Sequence, residues 1–401
     1  MKKRTISVTL VLLLLFIGGG LIWFNQSRSN SEGPNESTTS TTSESSQVST
    51  AKSSSTTEAT TSTTEEIDQL TEQIAEMTVA EKVGQLFLAR YPGEVALSDS
   101  QTNHLGGYLF FGQDFENETA ESLLNKIQQL QANNEIPLFI GADEEGGTVT
   151  RMSRNSALVV SPFLAPQTVY QNGGWEGIAA DTKMKAEILS SYGIQLGLFP
   201  VADVATDPNA FIYDRTIGLD AKGTSTFVET VVRSLAGTGV ASTLKHFPGY
   251  GNNRDSHVEI VRDTRSLTEL QTNDFLPFEA GIKAGVDSVL VSHNIVTSLD
   301  DSRPASISPQ VIQVIREAMN FDGVIMTDDM DMLGLADFIS QEEAALAALQ
   351  AGNDLILSSS YAVQIPVVIA AVESGDYAEE QLDASVYRIL TLKGKLGMLG
   401  K

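Results

Sequence analysis

Short apolar runs recur through residues 67–401, separated by stretches whose apolar positions fall at helical spacing. The runs are 86–90, 107–111, 138–143, 195–201, 241–247, 288–293, 323–328 and 354–359. Each is five to seven residues long with an apolar centre, the pattern of a short buried strand. Residues 120–131, 179–193 and 227–237 carry helical periodicity between them. Thr78 and Glu81 stand three apart just before Val83, Leu86 and Phe87, which predicts a capping box opening the first helix. Eight buried strands alternating with helices predict the α/β class and, within it, a (β/α)8 TIM barrel.

The first 66 residues have a different pattern. Met1-Lys2-Lys3-Arg4 leads into an apolar segment from Ile6 to Phe24, about the length that spans a bilayer core. The basic flank predicts a cytoplasmic N-terminus with the rest of the chain outside. A cleaved signal peptide shares the charged start and apolar core. No small-x-small cleavage pattern follows Ile22-Trp23-Phe24, and Trp23 suits an interfacial position, so a retained single-pass anchor is the expectation. Residues 26–66 are Ser/Thr-rich and almost free of large apolar side chains, which predicts a disordered stalk. Such a stalk would span roughly 35 Å root-mean-square. The expected organisation is therefore 1–25 anchor or signal, 26–66 linker and 67–401 globular domain, extracellular and expected to be monomeric.

The absence of cysteine rules out a lipid-modified cysteine, disulfides, Cys-ligated zinc and a thiol nucleophile. A formal charge of −25 makes nucleic acid an unsuitable partner and leaves the N-terminal helix as the expected membrane contact.

Polar residues gather where the apolar runs stop: Asp143, Asp203, Lys245-His246, His293 and Asp328. In a barrel the carboxyl ends of the strands share one face, and that face carries the active site. The densest segment, Lys245 to His257, is rich in Gly and Asn and holds two of the four histidines. Its Asp255 stands two residues before His257, close enough to orient the imidazole and favour its charged form. Asp328, Asp329 and Asp331 follow the seventh run, either as a metal site or as one catalytic carboxylate with neighbours in supporting roles. No glycine-containing calcium-loop spacing is present, so no metal and no cofactor are expected. A carboxylate and an Asp-supported imidazole on one face suit retaining glycoside hydrolysis. Glu144-Glu145 could form the carboxylate pair of a substrate-assisted enzyme, but supporting roles in the turn are the expectation.

Leu244-Lys245-His246-Phe247-Pro248-Gly249 with Asp255-Ser256-His257 resembles the signature of glycoside hydrolase family 3, in its β-N-acetylglucosaminidase branch. The resemblance extends to Met77-Thr78 through Phe87, to Gly106-Gly107-Tyr108-Leu109-Phe110, to Asp143-Glu144-Glu145-Gly146-Gly147 through Arg151, and to Arg303-Pro304-Ala305-Ser306. It implies Asp328 as nucleophile, His257 as acid/base and Asp255 as its dyad partner. It also implies Asp143, Arg151, Arg215, Lys245 and His246 as substrate-binding residues. A dyad of this kind separates the branch from β-glucosidases that take a glutamate from a second domain, for which this chain is expected to have no room. The chain departs from the family pattern at Tyr250, where His is usual, at Asn252-Asn253, where Asp-Thr is usual, and at Thr148, where Arg is usual.

The expected activity is hydrolysis of terminal GlcNAc from β-linked glycans, peptidoglycan fragments among them, by double displacement. Three alternatives remain open on the sequence. They are a β-N-acetylglucosaminide phosphorylase, a broader β-glycosidase, and an inactive wall-sugar-binding module that would need neither Asp328 nor His257.

Overall fold

The computed structural model describes residues 69–254 and 260–399. The predicted membrane segment, the stalk, and Asp255 and His257 lie outside the described residues. Among the described residues no helix is long and apolar enough to cross a membrane.

The fold is α/β with parallel sheets. Strands β1 (Phe87–Arg90), β2 (Gly107–Phe110), β3 (Phe139–Ala142), β4 (Thr243–Phe247), β5 (Arg262–Asp263), β6 (Ser288–Val291), β7 (Ile295–Val296), β8 (Val324–Thr327) and β9 (Ile356–Ser358) follow in chain order. One sheet runs β3-β2-β1-β9 and another β4-β6-β8, while β5 and β7 form a separate pair. Isolated parallel bridges join the two larger sheets: Leu196 links Gly141 to Ala241, Val201 meets Lys245, and Met326 meets Leu355. The connections thus close a circuit of eight positions in the order β1, β2, β3, the segment 196–201, β4, β6, β8 and β9.

Seven of the predicted apolar runs contain strands of that circuit, and the fourth does not. Residues 195–201 contribute bridges only. Leu198 takes a positive φ of 50°, which breaks the extended path, and Pro200 has no N–H to give a ladder. The segment nonetheless occupies its place in the circuit, with Leu196, Leu198 and Phe199 buried.

Helices follow where the periodicity put them: Ala120–Ala132 covers 120–131, while Pro166–Ser191 and Ala221–Leu235 overlap 179–193 and 227–237 and each stop two residues short of the predicted end. The capping box at Thr78 is present, Glu81 N donating to Thr78 Oγ1 (3.3 Å) and Thr78 N to Glu81 Oε2 (2.7 Å). Helix Phe275–Ala284 packs closely because of Gly281. A Cβ there would stand 2.6 Å from Leu244 Cδ1 and 2.7 Å from Val228 Cγ1, so any side chain would force these two buried side chains to shift.

The last helix, Glu379–Lys395, buries a lysine. Lys393 Nζ donates to Gln85 Oε1 at 2.7 Å and lies 5.0 Å from the Phe139 ring centroid, and burial pushes its pKa down to about 7. The unfolded chain therefore holds more protons than the folded one from about pH 7 up to the ordinary lysine value, and stability rises with pH across that window. Measured by urea unfolding, the stability difference between wild type and Lys393→Met is expected to shift by about 2 kcal/mol toward the wild type from pH 7 to pH 9. A pH-independent difference would show that the ammonium is not shifted.

Candidate active site

The carboxyl ends of the parallel strands share one face, and a pocket of about 140 Å³ opens there. Its walls include Asp143, Arg151, Arg215, Lys245, His246 and Asp328, six of the eight residues singled out in the sequence. Asp255 and His257, the other two, lie outside the described residues.

The cations of this pocket are organised by Glu145. Its carboxylate is 3% exposed and accepts from Arg215 Nε (3.0 Å) and Nη2 (2.8 Å). Lys245 Nζ lies 2.6 Å from Glu145 Oε1 and donates to Asp143 Oδ1 at 2.7 Å, and Arg151 Nη2 stands 3.6 Å from Asp143 Oδ2. Burial alone would raise the Glu145 pKa, but the adjoining Arg215 and Lys245 charges outweigh it and hold the carboxyl well below its ordinary range. Lys245 also loses by burial and gains more from Asp143 and Glu145, so its pKa is raised and the ammonium stays charged. Glu144, next in sequence, faces the other way. It accepts from Arg151 N (2.9 Å), Ser153 N (3.1 Å) and Ser153 Oγ (2.8 Å), closing the turn that carries Arg151.

His246 is fixed at both nitrogens. Nδ1 lies 2.8 Å from Asp203 Oδ2, and Arg215 Nη2 donates toward Nε2 at 3.0 Å. A guanidinium can only donate, so Nε2 presents its lone pair and the proton sits on Nδ1. Asp203 Oδ1 accepts from Tyr250 N at 2.6 Å, tying the loop after β4 to the same carboxylate. Tyr250, one of the departures from the family pattern, is fully buried. It meets His246 edge-on at 5.2 Å and Phe211 at 4.9 Å between centroids. Arg265 holds the loop's stem from the other side, donating to Gly249 O (2.6 Å), Asp274 Oδ1 (2.7 Å) and Asp263 Oδ1 (3.0 Å).

Asp328 follows β8, its N–H bonded to Val291 O (2.9 Å) and its Oδ1 accepting from Asp329 N (2.9 Å). The three clustered aspartates diverge in role. Asp331 accepts from Ser359 N (2.7 Å) and Ser360 N (3.1 Å) at the start of helix Tyr361–Ser374. Asp329 accepts from Asp331 N (3.0 Å), and burial, helped by the Asp331 and Asp328 charges, pushes its pKa up to about 7. His293, fully buried, lies 2.9 Å from Asp329 O through Nε2 and 2.7 Å from Ser306 Oγ through Nδ1. It braces the backbone beside Asp328 against the segment after Arg303-Pro304.

Glu145, Asp203 and His293 are not among the site residues the sequence predicts. The position of Asp203 and His293 at the ends of apolar runs was the available signal. Glu145 offered none that set it apart from Glu144.

The chain belongs to glycosyl hydrolase family 3: the model described as "Glycosyl hydrolase family 3 N terminal domain" matches residues 78–392. Among particular relatives, it is 30% identical to a β-hexosaminidase A of Pseudoalteromonas piscicida over 73% of this chain and 54% of that protein. It is 35% identical to a β-hexosaminidase of Tolumonas auensis over 63% of this chain and 75% of that one. Among solved structures, it resembles a glycoside hydrolase family 3 β-N-acetylglucosaminidase from Paenibacillus sp. str. FPU-7. The TM-score is 0.75 at 29% identity, covering 81% of this chain and 64% of that one. The chain thus spans little more than half of the Pseudoalteromonas relative and under two thirds of the Paenibacillus one.

Proposed function

We propose that this chain is a retaining β-N-acetylglucosaminidase acting on terminal GlcNAc of β-linked glycans, peptidoglycan fragments among them. The carrying observation is a single pocket that gathers Asp328 with Asp143, Arg151, Arg215, Lys245 and His246 at the strand ends. Relatives named β-hexosaminidase and β-N-acetylglucosaminidase support the substrate class. We read the closed eight-position circuit as a (β/α)8 barrel, which supports placing the reaction at its carboxyl-end mouth.

In this reading Asp143, Arg151, Arg215, Lys245 and His246 hold the hydroxyls of the terminal sugar. The Asp328 carboxylate attacks the anomeric carbon as the glycosidic C–O bond breaks, and the His257 imidazolium gives its proton to the departing oxygen. Water then loses a proton to His257 and attacks the same carbon, releasing Asp328 and the sugar with its original configuration. Asp255 orients His257 and favours its protonated form. His257→Ala is expected to slow hydrolysis of an aryl glycoside with a poor leaving group by about 10²–10⁴-fold, with far less effect on one whose phenol leaves unaided. Equal losses on both would remove the acid role.

The test of the activity is nitrophenol release from the aryl β-N-acetylglucosaminide and the aryl β-glucoside, with and without phosphate. Turnover confined to the N-acetyl substrate, giving free sugar in both buffers, is the expected result. Sugar phosphate as product, or equal turnover of the glucoside, would overturn it. We also propose that residues 6–24 hold the domain, as a monomer, outside a membrane, on the strength of the basic flank at Lys2-Lys3-Arg4. Recovery of the full chain in a soluble fraction would count against the anchor.

A further inference from the structure

Among the described residues, the cations that line the pocket are matched to anions, and Arg90 beside them is not. Lys245 and Arg215 are bonded to Asp143 and Glu145, and Arg151 approaches Asp143 at 3.6 Å. Arg90, the last residue of β1, has no hydrogen bond or ion pair among the described residues. What holds its side chain is an aromatic face, its guanidinium carbon standing 4.2 Å from the Phe111 ring centroid. Arg151, which lines the pocket, lies 5.8 Å from the same ring. The charge of Arg90 reaches Asp114 and Asp329, yet neither carboxylate takes a hydrogen bond from it.

Position makes this more than a surface arginine. In the eight-position circuit β1 lies directly across from β4, which carries Lys245 and His246. It also sits on the arc running from β8, before Asp328, through β9 and β2 to β3, before Asp143. In the glycosidase reading, the wall opposite the residues that hold the sugar, Lys245, His246 and Arg215, is the one a leaving group extending across the mouth would meet. There Arg90 presents a planar donor fork, permanently charged, stacked on Phe111 and free to match a carboxylate. The domain is otherwise strongly acidic, so an anionic substituent would be repelled from the mouth without such a cation.

We propose that Arg90, seated on Phe111, is a specificity-determining residue that selects a leaving group carrying a carboxylate. This rests on the glycosidase reading of the site and extends it to the group beyond the scissile bond. The probe is a pair of aryl β-N-acetylglucosaminides, the 3-carboxyphenyl glycoside and its uncharged carboxamide, assayed with the full chain. The intrinsic difference in leaving ability is the same for every variant and cancels when variants are compared. Arg90→Gln is expected to lower kcat/KM on the carboxylate about tenfold more than on the carboxamide, with KM carrying most of the change. Arg90→Lys, which keeps the charge without the fork, should fall between, and added salt should narrow the wild-type preference. Equal effects of Arg90→Gln on both substrates would overturn the inference while leaving the activity standing. Failure of wild type to cleave either substrate would overturn both together.

Discussion

Asp328→Ala is expected to lower kcat/KM on nitrophenyl β-N-acetylglucosaminide by about 10⁴-fold or more, with the fold intact. Asp328 stands where β8 ends, and its backbone N–H is bonded to Val291 O, so the position is held by the backbone and survives loss of the side chain. Azide should restore part of the turnover, because a small anion can enter the vacated space and attack the anomeric carbon. The product would be the α-glycosyl azide, of opposite configuration to the substrate, and its identification would place the missing nucleophile on that face. The neighbouring Asp329→Ala is the control. With its pKa at about 7, Asp329 is partly protonated at neutral pH, and it is Asp328, not Asp329, that lines the pocket. Comparable losses at both positions, or azide rescue at Asp329 alone, would reassign the role.

The strands were legible because both their faces are buried, and nearly continuous apolar runs such as 288–291 and 324–327 have few other uses. The run at 195–201 has the same hydrophobicity, yet the positive φ of Leu198 and the missing N–H of Pro200 leave it bridges in place of a ladder. Hydrophobic pattern reports burial, and here burial and ladder formation part company. Much of the pocket was legible because its polar residues interrupt apolar runs at one end, as Asp143, Lys245 and Asp328 do. The division of labour between Glu144 and Glu145 was not. Adjacent residues of one type differ only in the direction each side chain takes, and that is set by the turn through Gly146 and Gly147, both at positive φ. Arg90 was illegible for a related reason, since a charged residue ending a short run reads equally well as a solvated end. Its lack of a bonded anion becomes visible only when its neighbours are placed.

Glu145→Ala should be the most destabilising single change at the site, by about 3–5 kcal/mol in urea unfolding. It strips the anion that Arg215 and Lys245 share and leaves both cations enclosed, with Asp143 as the remaining bonded carboxylate for Lys245. Activity should fall with it, because both cations lose the partner that aims them into the pocket. Glu145→Gln separates charge from shape. The carboxyl pKa is lower in the folded than in the unfolded chain, so its stabilisation is fully present above the ordinary carboxyl range and is lost as pH falls below about 4.5. The stability gap between wild type and Glu145→Gln should accordingly stay constant from pH 7 to about pH 5 and shrink in more acidic solution. A merely space-filling Glu145 would give a gap that does not move with pH, and a cost below about 1 kcal/mol for Glu145→Ala would mean that water or Asp143 replaces it as the counter-charge.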